Sequence, residues 1–470
     1  MANALQNVRL FVAILAARSA QLASRALRAG GGSTMPGVVS RRVDPTVLTK
    51  LSKRLPGGAA AITGTNGKTT TARMVSHILR TANVKAVNNS TGANLVTGVT
   101  AALVADSTIS GNPRSEVALF EVDEASVPKV AAEAELKLLA VLNLFRDQLD
   151  RYGELAYLGK VIASSFGDLP SDGSVLLNAD DPLVASLGRE ARKAVYFGVE
   201  DSSLDMGRLQ HVADSKSCPV CGVDLKYGAV YMGHVGTYDC PNCDFTGPDT
   251  AYRATSVRFD GAKATSFALS APDGEMEMKI QLPGLYNVYN ALAAAAVASE
   301  MGVALEDIKR GLEGFGGAFG RVERIQAGEK EAFLLLIKNP VGFNEILRTF
   351  VAGETSGAKH VLIAINDNDA DGRDVSWLWD VDFEMLAESE APREPFTVSG
   401  IRAGDMAVRL KYADLPVGDV VPDRGKAIKA ALEATPPGET LYVLPTYTAM
   451  LEIRRTLSDL GHTHPFWEDE

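Results

Sequence analysis

Ile62-Thr63-Gly64-Thr65-Asn66-Gly67-Lys68-Thr69-Thr70-Thr71 joins a short apolar run, Gly58 to Thr63, to a helical pattern extending from Lys68 to Ala82. Strand, glycine turn and helix in that order form a phosphate loop. Glycines let backbone amides converge on phosphate oxygens with no side chain in the way, and the helix N-terminus adds partial positive charge. Lys68 is placed to reach the terminal phosphates and Thr69 to ligate magnesium. The general motif begins with glycine where this chain has Ile62, so what is retained is Gly-x-x-Gly-Lys-Thr. The competing reading is a glycine turn capped by a threonine run. Packing alone gives no reason for Gly-Lys-Thr-Thr at a strand end.

Outward from the loop the chain alternates strand and helix. Glu116 to Glu121, Leu136 to Leu144, Ser174 to Leu177 and Ala194 to Phe197 read as strands. Apolar strands separated by helices predict an α/β fold with a parallel sheet covered on both faces. The rhythm breaks near 210–252, which holds all four cysteines and reads as an inserted module. A long helix follows, Asn287 to Met301, stopped by Gly302. The five glycines between Gly311 and Gly320 read as a hinge. Beyond it, strands at Ala332 to Ile337, His360 to Ile365, Pro395 to Val398 and Thr440 to Leu444 predict a second, smaller α/β domain. The expected division is 1–43, a first helix with a linker; 44–320, the nucleotide domain; and 321–470, the second domain.

The net charge of -11 and the lack of a dense basic stretch argue against nucleic acid as a partner. No apolar run reaches membrane-spanning length. Arg9, Arg18, Arg25 and Arg28 recur near whole helical turns and mark a basic amphipathic first helix. It either packs on its own domain or lies against an anionic membrane surface.

Glu121-Val122-Asp123-Glu124 ends an apolar strand, at the sheet edge where ligands bind. Glu121 is the first choice for a second magnesium contact; the alternative is a solvated strand end. Cys218-Pro-Val-Cys221 and Cys240-Pro-Asn-Cys243 are two Cys-x2-Cys knuckles. Four thiolates at this spacing satisfy tetrahedral zinc and leave no open position, so the ion would be structural. Two disulfides are the alternative. Asp367-Asn368-Asp369-Ala370-Asp371-Gly372 opens like a calcium loop, but its last position is Leu378, which supplies no carboxylate. These acids mark either a site or a solvated turn.

Gly64 to Thr70 resembles the ATP-binding signature of the Mur ligases and folylpolyglutamate synthases. Asn178-Ala179-Asp180-Asp181-Pro182, Gly284 to Ala294 (GLYNVYNALAA) and Gly320-Arg321-Val322-Glu323 resemble three further segments of that family, in the same order. The resemblance spans Asp44 to Glu323. It implies ATP and Mg²⁺ on Gly64, Thr65, Asn66, Gly67, Lys68, Thr69 and Thr70, with Asn290 beside the adenine and Arg321 approaching the nucleotide. Two departures stand out. About forty residues precede the loop domain, too few for the usual substrate-holding domain, and Ile337-Lys338-Asn339-Pro340 replaces the usual Asp-Tyr-Ala-His-Asn-Pro.

These departures, the zinc-type insertion and the segment Asn366 to Asp380 are similar to one branch, the MurT subunits of lipid II isoglutaminyl synthase. That resemblance implies a Mur-ligase ATPase domain with an inserted four-cysteine zinc ribbon and a smaller Rossmann-like C-terminal domain. It implies ATP-dependent amidation of the α-carboxylate of D-isoglutamate in lipid II through an acyl phosphate. Ammonia would come from a GatD-like glutaminase, since no cysteine is left over as a nucleophile. Asp374 would reach across the subunit interface and orient the glutaminase histidine. Trp377 and Trp379 beside it are either interface anchors or core. The alternatives are a stand-alone amino-acid ligase and a non-catalytic ATP-binding scaffold. The expected location is the cytoplasm, with the first helix a candidate for contact with the inner face of the plasma membrane.

Overall fold

The computed structural model describes residues 2–26, 34–89, 92–146, 154–209, 213–261, 263–316, 322–351, 359–387 and 394–464. Two sheets organise them. The larger has nine strands: β1 (Gly58–Thr63), β2 (Ala86–Asn88), β3 (Val117–Glu121), β4 (Leu136–Val141), β5 (Ser174–Asn178), β6 (Ala194–Val199), β9 (Tyr252–Asp260), β10 (Ala264–Ala271) and β11 (Gly274–Ile280). Their spatial order is β11-β10-β9-β6-β5-β4-β1-β3-β2. β7 (Lys226–Met232) and β8 (Val235–Asp239) form a separate antiparallel hairpin inside the cysteine-bearing insertion.

β1 sits between β3 and β4, parallel to both. Its Ala59-Ala60-Ala61-Ile62 is buried on both faces, as a central parallel strand requires. The helix Lys68–Thr81 runs from its end. The chain then moves outward to β2, returns through β3, and crosses to β4 on the other side of β1. The phosphate loop therefore lies where the strand order reverses, the usual crevice of an open α/β sheet.

Two apolar layers cover this sheet. One is dominated by the helix Leu285–Glu300, whose Ala-rich sequence is buried almost throughout, as a helix apolar all round must be. The other includes Leu10, Ile14 and Ala17 of the first helix, so that helix packs on its own domain. Arg9 and Arg18 each donate to a backbone carbonyl of that domain, at Val43 and Ser107. The stretch read as a linker holds a second helix, Met35–Val43.

The smaller sheet has the order β12-β13-β17-β14-β15-β16, with β12 (Val322–Ala327), β13 (Lys330–Leu335), β14 (His360–Ala364), β15 (Phe396–Ser399), β16 (Val417–Val421) and β17 (Thr440–Pro445). All its pairs are parallel except β12 with β13.

Two expectations change. The large sheet is mixed, because β9, β10 and β11 add an antiparallel edge. Their exposed faces carry charged residues, which hid them from an apolar-run reading. Gly311 is no hinge: it lies inside the helix Leu305–Glu313, where a Cβ would sit 2.6 Å from Ile78 Cα. Its role is close helix approach; Gly317 and Gly320 lie outside the described residues.

Asp181, fully buried, ties these parts together. Oδ1 accepts from the amides of Leu183 (3.0 Å) and Val184 (3.2 Å), capping the helix Pro182–Leu187, and Oδ2 accepts from Leu144 N at 2.8 Å. Asp181→Ala strands three amides and should cost about 2–4 kcal/mol. The expected outcome is a melting temperature lower by several degrees in thermal unfolding.

Candidate active site

The phosphate loop is held by the strand beside it. Thr65 N donates to Asn143 O (3.0 Å), Thr65 Oγ1 donates to Phe145 O (3.0 Å), and Phe145 N donates to Thr65 Oγ1 (3.0 Å). The Asn143 side chain brackets the Asn66 peptide: its Oδ1 accepts from Asn66 N (2.8 Å) and its Nδ2 donates to Asn66 O (3.0 Å). Gly64 and Gly67 have φ of +131° and +87°, a region L-residues avoid. Gly67 has a second reason to lack a side chain, because a Cβ there would meet Asn290 Oδ1 at 2.2 Å.

At the loop mouth Thr69 Oγ1 donates to Glu121 Oε1 at 2.9 Å. Two hard oxygen donors from the loop and the adjacent strand end suit magnesium. Lys68 Nζ pairs with Glu124 Oε1 at 3.0 Å and donates to Gly64 O, so its charge is held over the loop. Glu124, from the same acidic cluster as Glu121, is a partner the spacing did not single out. Asn89 fixes Glu121 through both backbone atoms: Oδ1 accepts from Glu121 N (2.9 Å) and Nδ2 donates to Glu121 O (2.8 Å).

One side of the loop opens into a cleft between the two domains. Asn66, Gly67, Thr70 and Asn290 line it from the first domain, and Lys338, Asn339 and Glu345 from the second. The Asn339 side chain donates to Asn66 Oδ1 at 2.8 Å, a direct clasp across the cleft. Asn290 lies nearly buried beneath Gly67 and accepts from Thr71 Oγ1 at 3.4 Å. Asn290, expected beside the adenine, thus lies against the loop at Gly67 and Thr71, while Arg321 lies outside the described residues. The cleft wall also holds Tyr289, whose hydroxyl donates to buried Asp180 Oδ2 at 2.6 Å. Burial pushes the Asp180 carboxyl up to about 7.

The insertion contributes to the same wall. Met232, at the end of β7, lines the cleft. His234, in the turn to β8, is fully buried against the Phe145 ring (4.6 Å) with Nε2 3.5 Å from Asp181 Oδ2. Tyr238 Oη donates to Ala179 O at 2.9 Å. The four cysteine sulfurs lie within 4.8 Å of one another. The Cys218–Cys243 and Cys221–Cys240 sulfurs are 3.7 and 3.4 Å apart, far beyond a disulfide and close to the ~3.8 Å edge of a zinc tetrathiolate. Val220 N and Asn242 N donate to Cys218 Sγ and Cys240 Sγ, fixing each knuckle.

Asp374 belongs to a different place. It is exposed in a surface depression of the second domain shared with Arg373, Trp379, Arg402 and Asp405. A hydrogen bond from Ser376 N (2.8 Å) holds its carboxyl below the usual carboxylate range. The two tryptophans split: Trp377 is core, while Trp379 is half-exposed and packs edge-on against Tyr412 at 5.3 Å. The aspartate-rich loop is largely structural. Asp371 Oδ1 accepts from Thr448 N (2.7 Å), Asn366 and Asn368 donate to Thr448 Oγ1, and Asp367 pairs with Arg402.

Gly67→Ala should keep the fold and lower nucleotide affinity by about tenfold or more, since left-handed strain of ~1–2 kcal/mol adds to a displaced Asn290. Calorimetric titration with ATP, alongside a melting curve, checks both halves.

Residues 62–298 match the Mur ligase middle domain, and residues 336–450 match the MurT ligase C-terminal family. The chain is 36% identical over 442 residues to the lipid II isoglutaminyl synthase (glutamine-hydrolyzing) subunit MurT of Staphylococcus aureus (strain N315), covering 93% of this chain and 96% of that one. It is 34% identical to the MurT subunit of Streptococcus pneumoniae (strain ATCC BAA-255 / R6), covering 96% and 98%. In fold it resembles a pseudomurein peptide ligase type C from Methanothermus fervidus, with a TM-score of 0.66 at 24% identity, covering 87% of this chain and 80% of that one. Near-full-length similarity on both sides, with a matching model for each domain, places this chain in the MurT family of Mur-ligase-type proteins.

Proposed function

We propose that this chain is the ATP-using subunit of a lipid II isoglutaminyl synthase in peptidoglycan synthesis. ATP would lie in the interdomain cleft with its phosphates on Gly64 to Thr70, Asn290 and Arg321 beside it. Mg²⁺, when bound, supplies charge neutralisation between the phosphates; Thr69 and Glu121 would hold it. The observation that carries this reading is the Thr69–Glu121 pair at 2.9 Å beside Lys68, at the mouth of a fixed phosphate loop.

The far side of the phosphate-loop helix lines a second depression, with Glu121, Asn89, Arg73 and Arg80. In-line displacement requires the attacking oxygen opposite the leaving phosphate, so the α-carboxylate of D-isoglutamate would enter from this side. It attacks the γ-phosphorus, the bond to the β-phosphate oxygen breaks, and ADP leaves behind an acyl phosphate. Ammonia then displaces phosphate and gives the amide. Lys68 moves from Glu124 to the γ-phosphate, where fixed positive charge counts most.

Ammonia must come from a partner. The four cysteines are gathered at one structural site, whose thiolates suit Zn²⁺, and none remains to attack glutamine. Asp374, exposed and ionised beside Trp379, suits contact with a GatD-like glutaminase. With that partner, lipid II, ATP and glutamine, Lys68→Ala should abolish amide formation, and unchanged formation would refute the nucleotide assignment. Asp374→Asn should block glutamine-dependent amidation and spare amidation with ammonium; loss of both would refute its assigned role.

The substrate is a lipid, and the first helix suits a cytoplasmic membrane face. Residues 1–43 hold six arginines and no acidic residue, against -11 for the chain. Val8, Phe11, Val12, Leu15 and Leu22 form an exposed apolar stripe on its outer side. Anionic vesicles should therefore sediment the protein, and Phe11→Glu with Leu15→Glu should release it. Equal sedimentation of both forms would discard the contact.

A further inference from the structure

The inserted hairpin is fastened at both ends. At the open end Cys221 lies five residues before β7 and Cys240 directly follows β8, with Cys218 and Cys243 completing the set of thiols. At the closed end Gly233 and His234 form the turn. A two-stranded ribbon has little stability of its own, so its shape is set by what holds each end. The ends lie roughly 20 Å apart, the length of extended strand from His234 to Cys240. Leu225, Tyr238 and Phe245 pack around Cys218 and Cys240, while Ala229, Tyr231, Met232 and Val235 enter an apolar layer of the large domain.

The closed end meets the support of the phosphate loop directly. His234 is fully buried, and its ring lies 4.6 Å from that of Phe145, whose N and O both bond Thr65 Oγ1. Its Nδ1 accepts from Asp214 N at 3.3 Å, which places the ring proton on Nε2. Nε2 faces Asp181 Oδ2 at 3.5 Å and makes no hydrogen bond among the described residues. A buried N–H left open is costly, and here a shift of about half an ångström would close it. The same Oδ2 accepts from Leu144 N, so the shift would act on Leu144 and Phe145 together. β8 also carries the turn that presents Asp181: Gly236 N donates to Asp180 O and Tyr238 Oη to Ala179 O, each at 2.9 Å. Order at the thiols thus passes to this turn, and from the turn to the strand end that holds Thr65 and Asn66. Within the hairpin Met232 alone lines the cleft, so the thiols act through the loop's support and not by touching nucleotide.

We propose that His234 is a positioning residue for the phosphate loop and couples it to the four-cysteine site, so that each site binds its ligand more tightly when the other is filled. The inference rests on Gly64 to Thr70 being the nucleotide site. Thermodynamic linkage requires the two effects to be equal in size.

Two titrations on the zinc-loaded full chain test this. Zinc affinity is read by competition with a chromophoric chelator, with and without a non-hydrolysable ATP analogue and magnesium. Affinity for the analogue is read by calorimetry before and after zinc is withdrawn. In wild type the analogue should tighten zinc by about fivefold or more, and zinc should tighten the analogue by the same factor. His234→Phe keeps a ring against Phe145 and loses both nitrogens. It should still take up zinc and the analogue, with the factor reduced towards one. A merely structural role would lower the melting temperature and leave the factor unchanged, which overturns the inference. If His234→Phe does not fold, His234→Asn, too short to reach Asp181, should lower the factor as well. If zinc-free wild type unfolds, the chelator titration alone decides. Zinc affinity indifferent to the analogue in wild type also overturns the inference, and leaves the nucleotide assignment standing. Wild type that binds no analogue overturns both.

Discussion

The site depends on a zipper of five hydrogen bonds between the phosphate loop and the continuation of β4. Thr65 and Asn66 on one side meet Asn143 and Phe145 on the other, and the Asn143 amide satisfies both polar groups of one loop residue. A phosphate loop works only if its amides point inward before the ligand arrives. Here that order is supplied by a neighbouring strand end. The left-handed glycines follow from it, because the path forced by the zipper leaves no other way into the helix.

The same few residues connect the loop to the rest of the domain. Leu144, between the two zipper residues, donates to Asp181, which faces His234 of the inserted hairpin. Arg146, one residue further on from Phe145, pairs with Asp214 of the insertion. An insertion that interrupts the strand–helix rhythm of the chain thus braces the underside of the loop, and its Met232 completes the cleft wall. Metal held by the knuckles would act at a distance from the chemistry but in contact with its support.

What the sequence made readable was local. The strands β1, β3 and β4 and the loop are apolar runs with a distinctive turn, and the cysteine knuckles are pairs three residues apart. What escaped it was non-local. Asn339 meets Asn66 across 273 positions, Asn143 meets Asn66 across 77, and nothing in the neighbourhood of either marks the contact. Glu345 looks like any helix carboxylate until the fold buries it. Trp377 and Trp379 could not be told apart on composition, and a tight turn from Ser376 to Asp380 sends one inward and one outward. The glycine run was misread in part because a residue without a side chain serves close packing and flexibility equally well.

The clasp between Asn339 and Asn66 is neutral, single and partly exposed to water. A bond of that kind contributes only about 0.5–1.5 kcal/mol net, since solvent replaces it when it breaks. The same Asn339 also caps its own helix through Gly342 N at 2.9 Å, and that second bond survives separation. Breaking this clasp therefore leaves the helix Pro340–Ile346 capped. The clasp is not alone: Arg348 of the second lobe donates to Tyr231 O of the first at 3.1 Å and Val341 packs into the first lobe's apolar layer, so exchange of nucleotide must loosen a polar contact and an apolar one together.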